Sequence, residues 1–181
     1  MVGKGGRGIV DHFHLHGKVD VEVGTLSKAF GVMGGVVAGS KRVMDYLRQK
    51  ARPFLFSSAV TPADVAACIA AVDVLEESTE LVDRLWDNTR YMKHEFTTMG
   101  FDTGASASPV IPLVVGEDLT AFKMTVRLQE EGVFANPVVS PAVPEGRAMM
   151  RTSYMATHTR EHLDRALEAF RAVGREMGVI S

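Results

Sequence analysis

Two short apolar segments and the turn between them constrain this chain more than any other feature. Val19-Asp20-Val21-Glu22-Val23 alternates apolar and acidic residues and stops at Gly24, the period-two pattern of a half-buried strand. Val36-Val37-Ala38-Gly39, framed by Gly34-Gly35 and Ser40, predicts a second strand. Phe54-Leu55-Phe56 predicts a third. Three short strands with one helix cannot cover both faces of a parallel sheet. The N-terminal part therefore reads as the end of a larger sheet, with neighbours expected upstream.

The rest of the chain alternates strands and helices, which predicts an α/β protein. Ser40 is placed to cap a helix through Val43, Met44 and Leu47 to Ala51, ahead of Arg52-Pro53. Thr61-Pro62 opens a long helix, with Val65, Ile69, Val72 and Leu75 expected as its buried stripe and a bend before Gly100. Ile111-Pro112-Leu113-Val114-Val115 predicts a strand, and Leu119, Phe122 and Val126 mark a helix stopped by Gly132. A proline loop (Pro137, Pro141, Pro144) precedes the strand Met149-Met150-Arg151-Thr152-Ser153-Tyr154. A last helix carries Leu163, Leu167, Phe170 and Val173 on one face. The expected division is 1–83 for the partial larger domain and 84–181 for a small C-terminal α/β domain.

Composition excludes several classes. Twenty Lys+Arg against 22 Asp+Glu leave a formal charge of −2, with no basic surplus for nucleic acid. No apolar run reaches the roughly 18 residues of a membrane span, and residues 1–8 lack the apolar stretch of a signal peptide. The lone Cys68 sits in an apolar stretch, reads as a small buried hydrophobe and suits a reducing cytoplasm.

Chemistry concentrates in Gly24-Thr25-Leu26-Ser27-Lys28-Ala29-Phe30-Gly31, directly after a strand. A lysine on such a turn can neutralise a phosphate, act as a base, or condense with a carbonyl to form a Schiff base. Thr25 offers a hydroxyl to the same space, suited to a phosphate oxygen. The order Ser27-Lys28 does not fit a Walker A loop. His12, His14 and His16 alternate, and an extended chain would align them, but no cysteine or carboxylate cluster completes a metal set, so no metal is expected. His158 reads as a structural cap beside the last helix.

The Gly24-Thr25-Leu26-Ser27-Lys28-Ala29 run resembles the cofactor-lysine motif of the α-oxoamine synthases, pyridoxal-phosphate enzymes that condense an amino acid with an acyl-CoA. The similarity extends through Gly6-Arg7-Gly8 with His12-Phe13, through Arg52-Pro53-Phe54-Leu55-Phe56-Ser57-Ser58, and through Pro109-Val110-Ile111-Pro112-Leu113. It continues in Pro144-Glu145-Gly146-Arg147-Ala148-Met149-Met150-Arg151 and His158-Thr159. These motifs stand in the family's order. The resemblance implies the C-terminal part of a fold type I (aspartate aminotransferase-like) chain.

The resemblance also implies roles. Lys28 would carry pyridoxal 5'-phosphate and take the amino acid's α-proton, and Thr25 would lie near the phosphate. Ser57 and Ser58 would reach the phosphate of a neighbouring subunit, in a homodimer with a shared active site. Arg151 would grip the substrate carboxylate with a bidentate fork. The expected activity is that of a glycine C-acetyltransferase, glycine plus acetyl-CoA. The alternatives are 8-amino-7-oxononanoate synthase, alanine plus a pimeloyl thioester, or a non-catalytic assembly subunit of the same fold. The family's ring-stacking aromatic residue and its pyridinium-pairing aspartate would lie upstream, in a missing N-terminal half. No nucleic acid or membrane is expected as a partner.

Overall fold

The computed structural model describes residues 1–181, which form two compact units, 1–80 and 81–181. Unit 1 opens with a 3-10 turn, Lys4–Gly6, and a four-residue helix α1, Ile9–His12. Strands β1 (Val21–Thr25) and β2 (Gly35–Gly39) pair antiparallel, with Val23 opposite Val37 and Thr25 opposite Gly35. The two apolar segments thus make a hairpin. Its return needs a glycine: Gly34 has φ +109°, and a Cβ there would stand 2.9 Å from Val60 Cγ2.

Ser40 caps α2 (Lys41–Lys50), its Oγ accepting from Val43 N at 3.5 Å, as the sequence predicts. The strand expected at Phe54-Leu55-Phe56 is instead a short helix, α3 (Arg52–Leu55), whose Phe54 and Leu55 amides both donate to Ala51 O at 3.0 Å. Pro53 lies in its first turn, where a missing N–H costs nothing, so the proline starts a helix rather than breaking one. The hydroxyl of Thr61 caps α4 (Pro62–Glu77), accepting from Asp64 N at 3.2 Å.

The single long helix expected to follow is two. Ser78 is extended (φ −153°, ψ 142°), and its Oγ accepts from Glu80 N at 3.1 Å at the start of α5 (Glu80–Met99). The expected boundary near residue 84 falls inside α5. The stripe on α4 is not buried: Val65, Ile69 and Val72 are 46%, 57% and 37% exposed, and Leu75 is half-buried. Val10 and Val32 are the buried apolar side chains of unit 1, and Cys68 is half-buried rather than enclosed.

Unit 2 has a real core. Strand β3 (Val110–Gly116), helix α6 (Asp118–Glu130), strands β4 (Asn136–Val138) and β5 (Ala148–Ser153) and helix α7 (Arg160–Glu176) follow in order. The sheet runs β3-β5-β4, all antiparallel. β4 lies where a loop was expected, because Pro137 sits on an edge strand that tolerates its missing donor.

Leu163, Leu167, Phe170 and Val173 of α7 are all buried, as the sequence predicts. Phe170 meets Phe96 edge-on at 5.1 Å between ring centroids, and Phe96 meets Phe101 at 5.6 Å. Burying each such side chain is worth about 1.5–3 kcal/mol. The helix expected at Leu119, Phe122 and Val126 exists, but that face is 50–63% exposed. Ala121, Met124 and Leu128 face the sheet instead. α6 carries apolar residues on two faces, and the neighbouring sheet selects one.

Candidate functional site

The hairpin of unit 1 sets Lys28. Its turn closes through Leu26 N to Gly34 O (3.0 Å), Val32 N to Leu26 O (3.1 Å) and Gly31 N to Lys28 O (3.1 Å). Lys28 Nζ donates to Thr25 Oγ1 at 3.1 Å, and both side chains are exposed. Thr25 stands opposite Gly35, so no cross-strand side chain crowds the pair. Lys28 has no carboxylate partner. The amine is held by one neutral hydroxyl and no carboxylate occupies it, which leaves it open to an incoming group. That donor set fits a phosphorylated aldehyde, with the amine for the carbonyl and the hydroxyl for a phosphate oxygen.

Ser57 and Ser58 follow α3 and are exposed. No hydrogen bond joins either to Lys28 or Thr25. The structure therefore brings together two of the four expected cofactor residues.

Arg151 belongs to unit 2. It sits on the central strand of the sheet, opposite Pro112 on β3 and Asn136 on β4. Ala148, Met150 and Thr152 point into the core, whereas Arg151 and Ser153 alternate onto the open face. The guanidinium is exposed and makes no hydrogen bond or ion pair within the chain. Its neighbour Arg147, by contrast, lies 3.7 Å from Asp102. An arginine fixed by a three-stranded sheet, with its fork unengaged, is equipped to take a carboxylate in two parallel bonds.

The three N-terminal histidines do not align. His12 ends α1, His14 has φ 54°, and His16 Nε2 bonds Asp11 Oδ1 at 3.2 Å, which holds the Asp11 carboxyl below its ordinary value. The extended chain that would align them is replaced by a helix and turns.

Other residues, of which sequence reasoning singles out only His158, order the turn that follows β5. Asn88 Nδ2 donates to the carbonyls of Met155 and His158, both at 3.0 Å, and pins the turn that leaves β5. His158 Nδ1 accepts from Met155 N at 3.3 Å, so it caps that turn rather than α7. His162 closes the α7 cap: its Nδ1 accepts from Thr159 N while Thr159 Oγ1 accepts from His162 N, each at 3.3 Å. Burial first, and His162 second, hold His158 below the usual imidazole range. Thr152 Oγ1 donates to Ile111 O at 2.8 Å and bonds the Tyr154 hydroxyl at 2.6 Å, while burial raises the Tyr154 phenol well above its ordinary value. Asn88 lies 67 residues from its nearer partner in sequence, so no local pattern announces it. For the α7 cap the available signal is the Thr159–His162 spacing of a capping box, which sequence reasoning misses because histidine replaces the usual Glu or Gln.

Comparisons with known proteins identify the family. The family "Aminotransferase class I and II" matches residues 3–170. The 8-amino-7-oxononanoate synthase of Thermosipho melanesiensis is 53% identical over 180 residues, 99% of this chain and 46% of that protein. Sphingomonas wittichii serine palmitoyltransferase superimposes with a TM-score of 0.92 at 29% identity, covering 100% of this chain and 46% of that one. A structure of SPT with PLP superimposes at 0.91 and 31% identity, covering 99% of this chain and 46% of its own. This chain spans just under half the length of these relatives, as expected for a C-terminal part. No helix is long and apolar enough to cross a membrane. The chain belongs to the aminotransferase class I and II family and, within it, to the pyridoxal-phosphate-dependent α-oxoamine synthases.

Proposed function

We propose that this chain is the lysine- and arginine-bearing portion of an 8-amino-7-oxononanoate synthase, an acyltransferase that joins the α-carbon of L-alanine to a pimeloyl thioester and releases the thiol and the amino acid's carboxyl group as CO2. The observation that carries the reading is Lys28, an exposed amine bonded only to the Thr25 hydroxyl on a turn inside the family motif. The choice of acyl group rests on the names of the relatives, 8-amino-7-oxononanoate synthases at 53% identity, and replaces the glycine C-acetyltransferase expected from sequence.

In this reading Lys28 and Thr25 hold pyridoxal phosphate, with Ser57 and Ser58 contributing to the phosphate of a neighbouring subunit in a dimer. The chemistry supplied by the bound cofactor is an electron sink for the charge left at the amino acid's α-carbon. Lys28 Nζ receives the α-proton and later returns one. Arg151 binds the amino acid's carboxylate and fixes which bond at the α-carbon is presented to the amine.

Two measurements test the reading. Borohydride reduction of the chain with added pyridoxal phosphate, then peptide mapping, should place the pyridoxyl group on Lys28; a label on Lys18 or Lys41 overturns the lysine assignment. The chain joined to the N-terminal part of the Thermosipho relative should release thiol from pimeloyl-CoA with L-alanine faster than from acetyl-CoA with glycine. The reverse preference restores glycine C-acetyltransferase.

A further inference from the structure

Unit 2 contains a cavity of about 290 Å³ whose chemistry the proposed reaction does not use. It lies at the C-terminal end of β5, where Thr152, Ser153 and Tyr154 line it, and Arg151 is not among its lining residues. Its floor is apolar, built by Met92, Leu163 and Phe170, which are 1–3% exposed. Its charged and titratable lining comes from Arg165, His158, His162 and Tyr154, and no aspartate or glutamate contributes to it.

The Tyr154 hydroxyl is engaged with Thr152 Oγ1, and the remaining charged and titratable groups of the lining are donors. Arg165 is exposed and has no ion pair, and its guanidinium lies over the loop after α6: a Cβ on Gly132 would stand 3.4 Å from its Nη2. Both imidazoles accept a backbone N–H at Nδ1. A neutral ring that accepts at Nδ1 carries its proton on Nε2, so each presents a donor and cannot offer an acceptor there. A site with a permanent cation, two N–H donors and no carboxylate selects an anion, while the dry floor selects hydrocarbon.

We propose that this cavity binds a small monocarboxylate with an apolar body, its head at Arg165 and the two imidazoles and its body against Met92, Leu163 and Phe170. The inference does not depend on the reaction proposed above, since none of these residues belongs to that machinery.

The probe is hexanoate, with hexanamide as its uncharged counterpart, and the readout is the methyl resonances of the 181-residue chain carrying 13C-methyl methionine. Hexanoate should shift Met92 and leave Met33 unmoved. Hexanamide at equal concentration should shift it far less. Arg165→Met should weaken the hexanoate effect about tenfold or more, and Arg165→Lys by less, as expected for loss of a charge-assisted contact. The buried Met124 and Met150 resonances report in the same spectrum that each variant is folded. Equal shifts with hexanoate and hexanamide, an unchanged response in Arg165→Met, or no Met92 shift at tens of millimolar hexanoate would each overturn the proposal.

Discussion

Arg151 and Lys28 differ in how their side chains are left available. Lys28 is positioned by a turn and one hydroxyl, whereas Arg151 is positioned by its backbone, bonded on both sides within a sheet. Lysine at position 151 would keep the backbone placement and the charge but lose the planar fork. A charge-assisted contact is worth about 1.5–3 kcal/mol, or roughly one to two decades of affinity. In the completed enzyme Arg151→Lys should therefore raise the Michaelis constant for the amino acid about 10- to 100-fold and leave cofactor binding unchanged. An unchanged constant makes Arg151 a structural residue. At this scale the sequence was legible where chemistry is local. The Lys28–Thr25 pair is three residues apart and was readable as a unit. Arg151 was readable as a strand residue, but its placement on the open face depends on which side of the sheet the helices cover. Asn88 was invisible because its carbonyl partners come from a different part of the chain.

Helix starts were legible and helix faces were not always so, for one physical reason. Ser40 and Thr61 cap with bonds spanning three residues, so sequence alone contains both partners, and Thr159, which sequence reasoning misses as a cap, has the same spacing. The buried face of α6 is chosen by the sheet, and the strand expected at Phe54 was displaced by the local closure of a proline-led turn onto Ala51. The cap region of α7 also carries a pH dependence. His158 must stay neutral at Nδ1 to accept from Met155 N, and burial lowers its affinity for protons below that of an unfolded chain. Between the folded value and the unfolded value near 6.5, the unfolded state binds more protons, so stability rises with pH in that window. Unit 2 should lose stability as pH falls below about 6.5, before the exposed Glu176, held low by Arg127, begins to protonate. His158→Gln should flatten that first decline in urea-melt midpoints measured between neutral and mildly acidic pH. An unaltered profile would assign the slope elsewhere.

At the scale of the molecule the two units are built to different standards. Unit 2 packs Phe96, Met92, Ile111, Leu113, Met124, Leu128, Met150 and Val173 at less than 2% exposure. Unit 1 leaves Val23, Val36, Phe54, Phe56 and Ile69 between 51% and 81% exposed, and its two-stranded hairpin has open edges on both sides. An isolated hairpin is marginal in water, and uncovered apolar faces and strand edges attract other chains. The alternating valines of β1 had suggested one covered face, and that expectation needed sheet neighbours the chain does not contain. Hydrogen exchange on the 181-residue chain should therefore separate the units. Amides of β3, β5 and α7 should exchange only through global opening of unit 2, while those of β1, β2 and α4 should exchange through low-energy local openings. The same chain should bind a hydrophobic dye and self-associate as its concentration rises, and association should slow exchange in β1 and β2 more than in β5. Uniform protection of both units in a dilute, monomeric sample would mean that unit 1 closes its own core, and the expected self-association would lose its physical basis.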